Sequence, residues 1–137
     1  MKKISLREGF FNYDKYLAGK VVEKKDAILE NMRLYHMPYK GYPAITPGND
    51  KVLGEIMVIN EEEYDETVKD MDEMEGFISE NNPENEYHKI VLEVKNLQTN
   101  EKEKCFVYFY NKDKDKVFDS ESVYIPNGDW KEYMLTK

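Results

Sequence analysis

The sequence predicts an α+β protein, and three observations predict it. Stretches rich in β-branched and aromatic residues predict strands over residues 52–59, 87–94 and 104–110. Between the first two lies a stretch in which Tyr64, Val68 and Met71 recur at helical spacing. The third observation is a turn at residues 96–100, which makes the last two strands a hairpin. Strands and a helix therefore alternate along one short chain.

The first third of the chain predicts shorter elements. Residues 10–17 carry apolar positions three and four apart, which predicts a short helix ended by Gly19. A loose apolar alternation predicts a strand at roughly residues 33–37. Residues 42–50 hold two prolines and a glycine, and this composition predicts a turn and excludes a regular element.

The central helix has clear signals at both ends. Asn60 is predicted to be its N-cap, because a side-chain oxygen there can accept a hydrogen bond from a free backbone N–H. Three glutamates follow in the first turn, where the helix dipole favours negative charge. The helix is expected to reach about Met74 and to stop at Gly76, since glycine adopts left-handed angles without a steric penalty. Glu75 then lies at the end of the element.

The rest of the chain is predicted to be loop with one extended piece. Residues 78–86 and 112–116 are polar and predict loops. Residues 122–130 predict a short extended piece that enters a tight turn. The sequence shows no internal repeat or linker, so residues 1–137 are expected to form a single domain.

Composition limits the classes of partner. The formal net charge is −8, and a strongly acidic domain is repelled by phosphate backbones, so nucleic acid is not an expected partner. No apolar stretch approaches the roughly 20 residues of a membrane span, and no membrane partner is expected. The chain has 1 cysteine, which fits a reducing cytoplasm. That residue, Cys105, lies in an apolar run and is expected to be a small core side chain.

Several common chemistries are absent from the sequence. There is no Gly-rich phosphate loop and no serine in a nucleophile motif. His36 and His88 lie far apart in sequence, outside any recognisable ligand cluster. Neither a metal nor a cofactor is therefore expected.

A set of short motifs in a fixed order carries more information. Its members are Ser5-Leu6-Arg7-Glu8-Gly9, Tyr42-Pro43-Ala44, Gly54-Glu55, Asp72-Glu73-Met74-Glu75-Gly76, Tyr87, Val107-Tyr108 and Gly128-Asp129-Trp130. Each motif alone is ordinary loop or strand material. Their order and spacing together are much harder to obtain by chance.

This order resembles the γ-glutamylcyclotransferase-like family, over residues 4–133. The resemblance implies a small, partly closed β-barrel with short flanking helices and a pocket at one mouth. It places Glu75 in the position of the family's catalytic glutamate, within an Asp-X-X-Glu-Gly motif. It places Tyr108 at a conserved tyrosine of a Val-Tyr strand that lines the pocket. Ser5, Leu6 and Arg7 fall at the substrate loop, where Ser5 and Leu6 would contribute backbone donors.

The implied reaction suits a single carboxylate and no cofactor. A γ-glutamyl compound carries its own nucleophile, the α-amine, and a base must remove a proton from it before the amine can attack the γ-carbonyl. Attack within one molecule has a large effective concentration, so the enzyme mainly fixes the folded conformer. The products are 5-oxoproline and a free amine or amino acid. The implied partner is therefore a small γ-glutamyl substrate.

The start of the chain departs from the family pattern. The family's Tyr-Gly-Ser-Leu aligns with Lys3-Ile4-Ser5-Leu6, so only Ser5 and Leu6 match. The first barrel strand is expected to be largely missing, either because the chain starts late or because the protein has lost part of its site. The resulting open sheet edge predicts a homodimer or a strand exchange. A non-catalytic binding or interaction domain on the same scaffold stays open as the alternative function.

Overall fold

The structure is a computed structural model that describes residues 2–6 and 20–136. Its strands are β1 (Lys2–Leu6), β2 (Val21–Met37), β3 (Tyr42–Ile59), β4 (Tyr87–Asn96), β5 (Lys102–Tyr110) and β6 (Val123–Ile125). Its helices are α1 (Tyr64–Met74), α2 (Phe118–Glu121) and α3 (Trp130–Thr136), with 3₁₀ turns at Glu61–Glu63 and Lys112–Lys114. The helix predicted at residues 10–17 lies outside the described residues.

The strands form one mixed sheet that curls on itself. Its order is β3-β1-β5-β4-β2-β6, and β2 also pairs with β3 along most of its length. The link between β4 and β2 consists of only the pairs Ala27↔Asn96 and Ile28↔Lys95. This short link leaves the sheet not closed at that seam. The curled sheet with its short helices confirms the predicted α+β fold.

The expectation that the first strand is largely missing was wrong. Residues Lys2–Leu6 pair antiparallel with β3, from Lys2↔Ile59 to Leu6↔Glu55, and parallel with β5 at Ile4↔Phe106. β1 therefore has a neighbour on both sides. Within the described residues β6 pairs only with β2, and the predicted homodimer stays a prediction.

The prediction of a turn at residues 42–50 was also wrong, because this segment is the first half of β3. Pro43 faces His36 of β2, and Pro47 faces Met32 at a register shift where Met32 also faces Asp50. The two prolines are four residues apart, so their nitrogens point to the same side of the strand. This half of β3 pairs with β2 alone, and a proline costs no ladder bond on an unpaired side.

The remaining element predictions were largely confirmed. The strand expected at 33–37 exists but begins at Val21, where charged residues hide the strand pattern. Residues 52–59 complete β3, and residues 87–94 and 104–110 form most of the β4–β5 hairpin. The Asn60 side chain accepts a hydrogen bond from the Glu62 backbone N–H at 3.0 Å, but it caps the 3₁₀ turn at Glu61–Glu63. The α-helix itself begins only at Tyr64, so the three glutamates precede α1 instead of forming its first turn.

Two groups of buried side chains lie on opposite faces of β5. Cys105 and Val107 belong to one, with Ile56 of β3, while Tyr108 and Tyr110 belong to the other, with Met71 of α1 and further residues of β3. This alternation follows from the period of two along a strand. The expected burial of Cys105 is confirmed. The second group includes Met71, and Met74 and Phe77 pack against it, so it lies beside the end of α1.

None of the helices that the structure describes is long and apolar enough to cross a membrane.

Candidate active site at the end of the central helix

Glu75 is the C-cap residue of α1, in the position predicted for it. Gly76 follows with φ +66°, a left-handed angle. The Phe77 N–H donates to the Asp72 carbonyl at 2.8 Å, and the Gly76 N–H donates to the Glu73 carbonyl at 3.2 Å. This pair of bonds is the Schellman motif, which satisfies the last carbonyls of a helix. The helix end is thus fixed by backbone geometry on both sides of Glu75.

The start of β4 holds this helix end from the other side. The Tyr87 N–H donates to the Glu75 carbonyl at 3.1 Å, and the Glu86 N–H donates to the Gly76 carbonyl at 3.0 Å. The approach is close enough that a Cβ built on Gly76 would lie 2.8 Å from Cβ of Glu86. Gly76 is therefore needed both for its left-handed angle and for its lack of a side chain.

The Glu75 carboxyl group has an unusual electrostatic setting. Burial of the group raises its pKa to about 8, and the carboxylates of Glu86 and Asp72 add to this rise. No side chain among the described residues donates a hydrogen bond to it. An ionised carboxylate is disfavoured in such a place. The Glu75 carboxyl group thus keeps its proton at neutral pH and loses it in the slightly alkaline range, where it can act as a base.

Three tyrosines lie within the electrostatic reach of Glu75. They are Tyr42 of β3, Tyr87 of β4 and Tyr108 of β5. Burial raises the pKa of each phenol, and the charge of Glu75 raises it further. All three hydroxyl groups are therefore protonated at neutral pH.

Each of these hydroxyl groups donates its proton to a protein acceptor other than Glu75. Tyr108 donates to Oδ1 of Asp72 and Tyr42 to Oε1 of Glu86, both at 2.6 Å. Tyr87 donates to the backbone carbonyl of Pro43 at 2.8 Å. A phenol that has donated its single proton can only accept further hydrogen bonds. The surroundings of Glu75 are therefore rich in acceptors, which suits a cationic or amine ligand.

For the other residues predicted for the site, the structure gives only backbone pairing or no description. Ser5 and Leu6 lie at the end of β1, opposite Ile56 and Glu55 of β3. Arg7 lies outside the described residues. The roles of Ser5, Leu6 and Arg7 in binding substrate therefore stay predictions. Tyr108 is the predicted pocket residue that the structure brings to α1, through its bond to Asp72.

Sequence reasoning missed four side chains of this site. Asp72 comes one helical turn before Glu75, and its place in the Asp-X-X-Glu-Gly motif was a signal that it shares a helix face with Glu75. Tyr42 and Tyr87 belong to the motif set but had no assigned role. Glu86 carried no signal, because its position depends on how the loop before β4 meets Gly76.

Two cavities of about 320 and 350 Å³ lie elsewhere on the described surface. His88 and Phe109 line the first, and Leu29 and Leu92 line the second. Glu75 lines neither of them. No group of three or more His, Cys, Asp or Glu side chains in residues 2–6 and 20–136 could hold a metal ion.

The chain belongs to the gamma-glutamyl cyclotransferase, AIG2-like family, whose model matches residues 5–132. Its curled sheet with short helices is therefore a cyclotransferase-like scaffold. No curated protein sequence matches the chain.

Solved structures share the fold at low sequence identity. Protein ytfP from Escherichia coli has a TM-score of 0.61 and 18% identity, over 96% of this chain and 98% of its own. An uncharacterised protein from Pyrococcus horikoshii has a TM-score of 0.58 and 20% identity, over 99% and 95%. A gamma-glutamyl cyclotransferase has a TM-score of 0.55 and 14% identity, over 80% and 67%. At these identities the likeness supports the fold alone.

Proposed function

We propose that this protein cyclises a γ-glutamyl amine or γ-glutamyl amino acid to 5-oxoproline and releases the amine. The observation that carries the proposal is the Glu75 carboxyl group, whose pKa is raised to about 8 at the end of α1. Family membership supports the same reaction class. A base of this strength matches the proton affinity of an amine far better than an ordinary glutamate, whose pKa lies near 4.

The proposed mechanism uses Glu75 first as base and then as acid. Glu75 removes a proton from the substrate's α-ammonium group, and the freed amine attacks the γ-carbonyl carbon. A carbon–nitrogen bond forms in the five-membered ring, and the bond to the leaving amine breaks. Protons lost by the attacking nitrogen return through Glu75 to the leaving nitrogen. Substrate binding supplies most of the remaining acceleration by holding the folded conformer.

Two further requirements fall to other groups. The developing oxyanion and the substrate carboxylate need N–H donors. The backbone groups of Ser5 and Leu6 are the proposed donors, with Arg7 close to them in sequence, and Tyr108 is the proposed pocket wall. The cytoplasm is the proposed location, because a single cysteine allows no intrachain disulfide.

The test is release of 5-oxoproline from a panel of γ-glutamyl amino acids and γ-glutamyl amines at pH 8. The wild-type protein is expected to release it from at least one member of the panel. Folded Glu75→Gln is expected to lose at least about 100-fold in rate, the lower range for general acid–base catalysis. Measurable release by the wild type with an equal rate for Glu75→Gln would exclude Glu75 as the catalytic group, and no release by the wild type would refute the proposed activity.

The second candidate is a binding domain without activity, and the departure at Lys3 and Ile4 favours it. The same ligands separate the two functions in a thermal-shift assay, because a ligand that binds only the folded state raises its stability. A shift with 5-oxoproline or a γ-glutamyl compound, without any product release, would support the binding domain.

A further inference from the structure

An ion pair joins three elements beside Glu75. Nζ of Lys89, on β4, lies 3.0 and 2.9 Å from the two carboxylate oxygens of Asp72, on α1. The hydroxyl group of Tyr108, on β5, donates to Oδ1 of the same carboxylate at 2.6 Å. The Lys89 ammonium also lies 4.9 and 5.1 Å from the ring centres of Phe77 and Phe106. Only 15% of the Lys89 side chain and 22% of the Asp72 side chain are exposed, so solvent screens this pair weakly.

The pair determines what Tyr108 can offer a ligand. Both carboxylate oxygens of Asp72 accept hydrogen bonds from the Lys89 ammonium group, which can only donate. Tyr108 is likewise the donor in its bond with Oδ1 of Asp72. The remaining lone pairs of the Tyr108 oxygen are then available as acceptors for a cation.

We propose that Lys89 and Asp72 are positioning residues of the Glu75 site. Lys89 holds both carboxylate oxygens of Asp72, and Asp72 takes the proton of the Tyr108 hydroxyl group, so that the Tyr108 oxygen and Glu75 together receive the ammonium group of a substrate. Lys89 also offsets the charge of Asp72 at Glu75. The binding of a substrate ammonium group by Glu75 and Tyr108, the ammonium part, rests on the proposed function. The effect of Lys89 and Asp72 on the pKa of Glu75, the electrostatic part, concerns the free protein.

The two partners of the pair carry opposite charges. Asp72 disfavours the ionised form of Glu75 through like charge. The proposal expects the positive charge of Lys89, bonded to Asp72, to oppose that influence. Among the described residues, the titratable and charged groups around the Glu75–Asp72 pair are Tyr64 of α1, Tyr42 of β3, Glu86 with its neighbour Lys40, Tyr87 and Lys89 of β4, and Tyr108 of β5.

The test is a ¹³C NMR titration of the Glu75 carboxyl group in the free protein, which needs no substrate. Lys89→Met is expected to raise the pKa of Glu75 by about half a pH unit or more, because Asp72 loses its counter-charge. Asp72→Asn is expected to lower it by a similar amount, because a negative charge is lost and Lys89 stays. Lys89→Arg is expected to restore the wild-type value. Lys69→Met removes the same charge at an exposed position of α1 and serves as the control. It is expected to leave the pKa of Glu75 unchanged.

The opposite signs separate electrostatic positioning from a merely structural role. Both variants break the same ion pair, so a structural role would move the pKa of Glu75 in one direction for both. The proposal would be overturned if the pKa of Glu75 shifted in the same direction in both variants, or if it did not shift in either variant while both were folded. If Asp72→Asn does not fold, the pKa of Glu75 in Lys89→Met is compared with that in Lys89→Arg. A higher pKa in Lys89→Met alone supports the proposal, and equal pKa values in the two variants refute it.

The ammonium part is tested separately, by steady-state kinetics on whichever panel member is turned over. Tyr108→Phe is expected to raise KM about tenfold, the usual range for one hydrogen bond to a charged group. An unchanged KM would refute the role of Tyr108 as acceptor. Absence of turnover in the wild type would refute the proposed function, while the titration would still decide the electrostatic part.

Discussion

At the scale of single residues, Glu75 combines a fixed backbone with a carboxyl group that lacks a hydrogen-bond partner in the part of the chain that the structure describes. Its backbone is fixed on both sides by hydrogen bonds, and its carboxyl group has no donor among the described residues. A fixed but unsatisfied acid is costly in the ionised form, and this cost raises its pKa. The same arrangement leaves the carboxylate available for a ligand amine.

The raised pKa of Glu75 predicts how stability depends on pH. In the unfolded chain the group ionises near pH 4.5, whereas in the folded protein it keeps its proton until about pH 8. Between these values the unfolded state binds fewer protons, so the free energy of unfolding falls as pH rises, by at most about 1.4 kcal/mol per pH unit. Glu75→Gln removes this slope, because the amide does not titrate.

The measurement is urea denaturation of wild type and Glu75→Gln at pH 4.5, 6 and 8. The variant is expected to match the wild type at the lowest pH and to exceed it increasingly towards pH 8. Glu73→Gln, which changes an exposed carboxylate two residues away, should follow the wild type. A constant difference between wild type and Glu75→Gln at all three values would contradict the raised pKa.

At the scale of elements, the end of α1 positions the site. The Schellman bonds and the contact of Gly76 with Glu86 make one compact turn out of residues 72–77 and the start of β4. The N-cap and the stop at Gly76 could be predicted from sequence because they depend on local backbone chemistry. The β3 segment at residues 42–50 could not, since its extended form depends on pairing with β2.

Two glycines with similar backbone angles allow a matched test of this turn. Gly76 and Gly41 both have positive φ, +66° and +82°, but a Cβ at Gly41 would meet nothing within 4 Å. Gly41→Ala is therefore expected to cost about 1 kcal/mol, for backbone strain alone. Gly76→Ala adds the clash with Glu86 and is expected to cost about 2 kcal/mol or more.

Chemical denaturation of both variants measures the difference between their losses in free energy of unfolding. The NMR signal of the Glu75 carboxyl group reports any change in the turn around Gly76. Equal losses of stability would mean that the approach of Glu86 to Gly76 does not constrain the turn.

At the scale of the whole molecule, the curled sheet assembles the site from distant parts of the chain. Tyr42, Glu75 and Tyr108 come from β3, the end of α1 and β5, which meet because β1 links β3 to β5. The resemblance of ordered motifs predicted Glu75 and Tyr108 as site residues. It did not predict the pairing of Tyr42 with Glu86, or of Lys89 with Asp72, since each requires the register of the folded sheet.

The central claim is that Glu75 transfers protons in the cyclisation of a γ-glutamyl substrate. Its most direct test is the rate of 5-oxoproline release at pH 8 for wild type, Glu75→Gln and Glu73→Gln, with folding checked by circular dichroism. We expect Glu73→Gln to match the wild type and Glu75→Gln to be slower by about 100-fold or more. Measurable release by wild type together with an equal rate for Glu75→Gln would contradict the claim.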